Sequence, residues 1–154
     1  MKEIPEKLDG YTLVKLISTG GMAKIYEGRR DSIKGVSPKV AIKIMDPKQA
    51  SNDTFRKLFI HEALVTSNLR HKNLIHIQDF NECEGYHYIV MEYVDGLTLN
   101  DVIRRCRRNK IILPATLVAE IGRQICEGLH YAHKARTSEG KEIGLVHRDI
   151  KPSN

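Results

Sequence analysis

An α+β fold, strands first and helices last, is what this sequence predicts. Three observations carry the prediction. Runs rich in β formers, broken by glycine-bearing turns, recur between Gly10 and Met91. One stretch among them, residues 52–69, has the 3.6-residue period of an amphipathic helix. After Gly96 the strand signals stop and two helical segments follow.

The first strand pair is Gly10 to Ile17 and Ile25 to Gly28, joined through Ser18-Thr19-Gly20-Gly21. A glycine turn lets backbone N–H groups approach an anion with no Cβ in the way, though it serves equally well as a plain turn. The G-x-x-x-x-G-K-[S/T] phosphate loop is absent. After a polar loop from Asp31 to Pro38, Val40-Ala41-Ile42-Lys43-Ile44 alternates its faces. Val40, Ile42 and Ile44 turn to a core, and Ala41 and Lys43 to the opposite side. That second face either leaves room for a flat ligand beside a cation or is an edge on which a lysine snorkels. In helix 52–69 the apolar stripe is Phe55, Leu58, Phe59, Ala63 and Leu69, and Glu62 falls within it. A carboxylate on a buried stripe is costly unless paired. Lys43 is the candidate partner; the alternative is a frayed edge where Glu62 reaches water.

Leu74 to Gln78 and Tyr86 to Met91 flank a turn at Asn81 to Gly85 and complete five strands. Glu92 to Gly96 reads as a linker. Thr98 is placed as an N-cap, with Asp101 three residues on and Leu97 against Val102 as a staple. A short basic helix runs to about Arg108. Pro114 opens a longer helix with Leu117, Ile121, Ile125, Leu129 and Ala132 as its apolar stripe. His130 and His133 lie three apart on it; they suit either a metal or ordinary packing, and no third ligand accompanies them. A polar loop, Ala135 to Gly144, leads to Leu145-Val146.

Composition bounds the class. Hydrophobic residues make up 41% and charged residues 29% of 154, the balance of a globular chain and not of a disordered one. No stretch approaches the roughly 18 apolar residues of a membrane span, and the opening residues lack a signal-peptide core. Cys83, Cys106 and Cys126 are scattered, odd in number and contain no CxxC pair. A reducing, cytoplasmic setting is expected from them. Net charge is +6 with the densest cluster at Arg104, Arg105, Arg107 and Arg108. Phosphate-bearing ligands, an anionic surface or a solvated helix face all suit such a cluster. No nucleic-acid-binding motif is present, and no nucleic-acid partner is expected.

The last eight residues, His147-Arg148-Asp149-Ile150-Lys151-Pro152-Ser153-Asn154, match H-R-D-x-x-x-x-N with a lysine two residues after the aspartate. They follow Val40-Ala41-Ile42-Lys43 and Glu62 in order. On these motifs the chain resembles the N-terminal part of a eukaryotic-like protein kinase domain over nearly its whole length. The turn Gly20-Gly21-Met22-Ala23 and the long approach from Gly128 to His147 are similar to bacterial serine/threonine kinases in particular.

The resemblance implies a protein-kinase-like architecture. Residues 1–94 become an N-lobe of five antiparallel strands with one αC-type helix and a hinge, and 95–154 the start of a mostly helical C-lobe. It implies ATP and Mg2+ as cofactors. Ile17, Ser18, Gly20, Gly21, Met22, Ala23 and Ile25 form the glycine-rich loop over the phosphates. Ser18 and Ala23 there replace the first and third glycines of G-x-G-x-x-G-x-V, and Ile25 its valine. Ala41 packs on adenine. Lys43, held by Glu62, contacts the phosphates. Met91 is the gatekeeper, and Glu92 to Val94 the hinge that binds adenine through its backbone. Asp149 accepts the proton of the substrate hydroxyl, Lys151 stabilises the transferring phosphoryl, and Asn154 holds magnesium.

The implied partner is a protein substrate with a serine or threonine acceptor, with no membrane segment in this chain. The D-F-G aspartate, activation loop and A-P-E segment are expected beyond Asn154. The sequence therefore reads as the first part of a kinase domain. The apolar stripe from Leu117 to Lys134 is expected to be exposed and open to self-association. A nucleotide-binding chain without catalysis is the alternative.

Overall fold

The structure is a computed structural model that describes residues 4–31, 35–137 and 139–154. It contains two compact units, residues 1–68 with 75–94 and residues 69–74 with 95–154. Each has its own architecture.

The first unit is an antiparallel sheet with helices on one face. The strands are β1 (Lys7–Leu8), β2 (Tyr11–Thr19), β3 (Ala23–Arg30), β4 (Lys39–Met45), β5 (Ile77–Cys83) and β6 (Tyr86–Glu92), in the spatial order β1-β2-β3-β4-β6-β5. The five expected strands are present and a two-residue edge strand joins them. β1 turns back through Asp9 and Gly10, both with positive φ (41° and 86°), to pair Leu8 with Tyr11. No periodicity can announce a strand of two residues.

The alternation of β4 sets the two faces of the sheet. Val40, Ile42 and Ile44 are almost fully buried, in one cluster with Leu8, Tyr11, Tyr86, Tyr88 and Val90. Tyr88 has no accessible surface, its hydroxyl finds no hydrogen-bond partner among the described residues, and burial pushes its pKa up to about 12. On the other face Ala23, Met45 and Ile89 pack against Phe59 and Ala63. Gly28 is the close-approach point between the strands. A Cβ there would stand 2.5 Å from Ile42 Cδ1 and 3.3 Å from the Thr12 carbonyl.

Two helices follow β4. α1 (Pro47–Ala50) is a single turn capped by Asp46, which accepts the Lys48 N–H at 2.9 Å. α2 (Asp53–Ser67) starts where expected, with the Asn52 side chain accepting the N–H groups of Thr54 and Phe55. Its buried residues are Phe59, Ala63 and Val65, and Leu58 is 54% exposed instead of lying on the core stripe. The inward line runs through Phe59 and Ala63, four apart, and Leu58 sits more than a quarter of the way round from it, at about 100° per residue.

The β5–β6 hairpin is tighter than the sequence suggests. Its loop is only Glu84-Gly85, with φ of 51° and 84°, the primed turn that suits strand twist. Asn81, Glu82 and Cys83, read as turn, pair with Tyr88, His87 and Tyr86. β5 consequently starts at Ile77 and not Leu74.

The second unit holds α3 (Leu99–Arg108) and α4 (Ala115–His133). Thr98 caps α3: its hydroxyl accepts the Asp101 N–H at 3.1 Å and donates to the Asp101 carboxylate at 2.6 Å. Pro114 is the N-cap residue of α4. Residues 69–74 lie along α4. Asn73 Nδ2 donates to the Gln124 carbonyl at 2.8 Å, His71 stacks on Tyr131 at 5.1 Å, and Gly128 leaves space for Asn73 and Leu74. Leu117, Val118 and Ile125 are exposed, whereas Gly128 and Ala132 are buried. Beyond α4, Arg136 and Glu142 bridge a small hairpin, closed by Thr137 N–H to Lys141 O and Ile143 N–H to Ala135 O.

Candidate active site

Within the first unit, the turn from β2 to β3 is closed by the Gly20 N–H on the Ala23 carbonyl at 2.9 Å. Ser18 pairs with Ile25 and Thr19 with Lys24 across it. Two register shifts interrupt β2 before this point, at Leu13/Lys15 and Leu16/Ser18. Such bulges bend a strand and re-aim its side chains. Ile17 and Met22 are about half exposed, and a Cβ at Gly21 would meet nothing within 4 Å. Ala23 is buried with the helix-side core.

Register carries the rest. Ile25 pairs with Lys43 and Lys43 with Ile89; Glu27 pairs with Ala41 and Ala41 with Met91. Directly opposite residues share a face. Ile25, Ala41, Lys43 and Met91 therefore lie on the helix side of the sheet. Lys43 Nζ donates to both carboxylate oxygens of Glu62, at 2.6 and 2.8 Å, and stands 5.6 Å from the Phe59 ring. The expected partnership exists, but not for the expected reason. The Glu62 side chain is 51% exposed and that of Lys43 23%, so no deeply buried carboxylate forces it.

At the end of β6 the Glu92 N–H donates to the His76 carbonyl at 3.0 Å, and its carboxylate accepts the His76 N–H at 2.7 Å. Among the described residues Val94, 63% exposed, has no hydrogen-bond partner for its N–H or C=O. Between them Tyr93 is braced in a way the sequence does not announce. Its hydroxyl lies 3.5 Å from Glu27 Oε2, and Lys39 Nζ sits 5.1 Å from its ring. Only the β3–β4 register could have revealed it, since Lys39 pairs with Arg29, two residues along the strand from Glu27.

Within the second unit, three terminal-loop residues converge. Lys151 Nζ donates to Asp149 Oδ2 at 2.7 Å. Asn154 Nδ2 donates to the same oxygen at 2.9 Å and to the Asp149 carbonyl at 2.8 Å. The Asp149 N–H points at His147 Nδ1 at 3.3 Å, and Arg148 between them has φ of 61°. That left-handed arginine folds the loop back so that the aspartate is presented outward. The hydrogen bond from Lys151, then that from Asn154, holds the Asp149 carboxyl below its ordinary pKa. The loop is anchored by the Asn100 N–H, one residue into α3, on the Pro152 carbonyl at 2.7 Å. His130 and His133 gain no third ligand: among the described residues no group of three His, Cys, Asp or Glu could hold a metal.

An antiparallel sheet with a lysine–glutamate pair on its helix side, and an aspartate held by a lysine and an asparagine, agree with the motifs on which the sequence resembles a protein kinase. The protein kinase domain family matches residues 11–154. The chain belongs to the protein kinase family. It is 35% identical over 144 residues to the tyrosine-protein kinase MasK of Myxococcus xanthus, covering 94% of this chain and 22% of that protein. It is 36% identical over 152 residues to the serine/threonine-protein kinase PrkC of Bacillus subtilis, covering 98% and 21%. The crystal structure of the Mycobacterium tuberculosis PknI kinase domain superposes with a TM-score of 0.73 at 28% identity, over 99% of this chain and 56% of that one. The chain thus spans about a fifth of the curated relatives and little more than half of a solved kinase domain.

Proposed function

We propose that this chain supplies the nucleotide-binding and catalytic-loop residues of a serine/threonine protein kinase that uses ATP and Mg2+. The convergence of Lys151 and Asn154 on Asp149 is the observation that carries the reading. In it, residues 1–94 are the N-lobe and hinge and 95–154 the start of the C-lobe. The turn from Ile17 to Ile25, through Ser18, Gly20, Gly21, Met22 and Ala23, covers the phosphates of ATP. Lys43, fixed by Glu62, binds them. Ala41 and Met91 bound the adenine, and the backbone of Glu92 to Val94 hydrogen-bonds it; the unpartnered N–H and C=O of Val94 support that assignment. Asp149 orients the acceptor hydroxyl and takes its proton as the new O–P bond forms and the β–γ bridging bond breaks. Lys151 balances charge on the transferring group.

The donors present fit Mg2+. Asn154 spends its Nδ2 on Asp149, which leaves an amide oxygen, the hard ligand that Mg2+ prefers. When bound, the ion neutralises phosphate charge.

Lys151 supports a serine or threonine acceptor, and PrkC carries that description, whereas MasK is a tyrosine kinase. Labelled ATP offered with serine, threonine and tyrosine peptides decides between them. Label on serine or threonine, abolished in Asp149→Asn, is the expected result. Label on tyrosine alone would reassign the acceptor. Bound Mg·ATP with no transfer would establish nucleotide binding without catalysis. The exposed Leu117, Val118 and Ile125 support self-association along α4, which sedimentation over a range of concentrations measures. The three free cysteines support a reducing compartment, the cytoplasm. No helix among the described residues is long and apolar enough to cross a membrane.

A further inference from the structure

α3 carries far more positive charge than a helix end needs. Arg104, Arg105, Arg107 and Arg108 are all exposed, and Lys110 follows them. Cations in the last turn complement the helix dipole. Here, however, Arg104 stands three and four residues from Arg107 and Arg108, and Arg105 three from Arg108. Like charges at those spacings destabilise a helix. The nearest compensation is weak: Arg104 reaches Asp101 at 3.9 Å, with its side chain 74% exposed. Arg105, Arg107, Arg108 and Lys110 have no carboxylate partner among the described residues. At about 100° per residue the four arginines span roughly 160° of one side. The other side, Leu99, Val102, Ile103 and Cys106, is half-buried.

The position of this stripe gives it a use. The first turn of α3 holds the terminal loop, through the Asn100 N–H on the Pro152 carbonyl at 2.7 Å. Pro152 is three residues from Asp149. At about 1.5 Å rise per residue, the arginines begin about 6 Å along the helix from that anchor and continue for little more than one turn, to the end of α3.

We propose that the basic side of α3 is a docking surface for an acidic segment of the protein substrate, flanking the hydroxyl presented to Asp149. The proposal rests on the kinase reading and extends it to the substrate class. A membrane surface fits less well. Helices that lie on bilayers offer an apolar side with large residues to the lipid. α3 has no aromatic residue, and its apolar side is turned inward. A single-stranded nucleic-acid surface adds aromatic platforms to its charge, which this helix also lacks; duplex DNA is left to the test.

The test compares the chain with its Arg105→Gln/Arg107→Gln/Arg108→Gln variant. These side chains are exposed, so circular dichroism is expected to be unchanged. Fluorescence anisotropy follows a serine peptide flanked by Asp and Glu, its Asn/Gln counterpart, duplex DNA, and phosphatidylcholine vesicles containing phosphatidylserine. Mg·ATP binding is measured alongside. The acidic peptide is expected to bind more tightly than the amide peptide, to weaken with salt, and to lose about tenfold in the variant, the sum of three exposed charge pairs. Mg·ATP affinity stays unchanged. Equal binding of both peptides overturns the proposal, as does a preference that survives in the variant. DNA or vesicles bound more tightly than the acidic peptide, with loss in the variant, overturn it in favour of those partners. A chain that shows the peptide preference but binds no Mg·ATP keeps the docking surface and refutes the kinase reading instead.

Discussion

Glu62→Gln separates a strut from a catalytic positioner. The pair is exposed on the glutamate side, 51%, and partly covered on the lysine side, 23%. Exposed pairs contribute about 0.2–1 kcal/mol. The amide is isosteric and keeps one acceptor for Lys43 Nζ. Its cost in stability is therefore at most about 1 kcal/mol, or about 2–4 °C in Tm for a chain of this size. The effect on nucleotide binding is different in kind. If Lys43 binds phosphate as proposed, Lys43→Met removes a charge-assisted hydrogen bond worth about 1.5–3 kcal/mol and is expected to weaken Mg·ATP roughly ten- to hundredfold. Glu62→Gln leaves the cation but loosens its aim, for about 1 kcal/mol or fivefold. Calorimetric titration of wild type, both single variants and the double variant completes the cycle. If Glu62 acts only through Lys43, Glu62→Gln has no further effect in the Lys43→Met background. An equal loss in both backgrounds refutes that role. So does unchanged affinity with a fall in Tm several times larger than stated.

The remaining expectations are these. Gly28→Ala sets a methyl 2.5 Å from Ile42 Cδ1, which is fully buried, and costs about 1–3 kcal/mol in denaturant unfolding; adding Ile42→Val removes that contact atom and recovers most of the loss. Thr98→Ala removes the acceptor of the Asp101 N–H and costs about 1 kcal/mol, seen as faster amide exchange in the first turn of α3. Lys151→Met removes the main cause of the depressed Asp149 pKa, so the carboxyl carbon titrates nearer its ordinary value by NMR. Because the folded pKa is the lower one, Asp149 stays ionised through neutral pH and protonates only as pH falls below its unfolded value of 3.8. An acid limb in the transfer rate above that pH then belongs to another group.

How much of this was legible depended on the kind of signal. Alternation in Val40-Ala41-Ile42-Lys43-Ile44 named both faces of β4 correctly, because a period of two leaves a strand no other way to bury three β-branched residues. The cap at Thr98 was readable because it satisfies a backbone donor within three residues of itself. Leu58 was misread because a stripe drawn at i, i+3 and i+4 is wider than the line a helix presents to a single sheet. The β5–β6 turn was drawn too wide because Asn81 and Glu82 have the composition of a loop. Only Glu84 and Gly85 have the backbone conformation of one.

Glu62 is the case where a correct partner came from an incomplete premise. Burial was supposed to demand a cation, yet half of the glutamate side chain reaches water. A pair that burial does not enforce and that contributes little to stability needs another reason for its geometry. Two short hydrogen bonds from one ammonium to both oxygens fix the direction of Lys43 at the entropic cost of a long side chain. Asp149 repeats the pattern in the other unit: with its side chain 58% exposed, it takes two donors on one oxygen and a third contact through its own N–H. Exposed charges held by several hydrogen bonds at once are orientation devices. In the proposed function the groups that these two devices would orient are a phosphate and a hydroxyl.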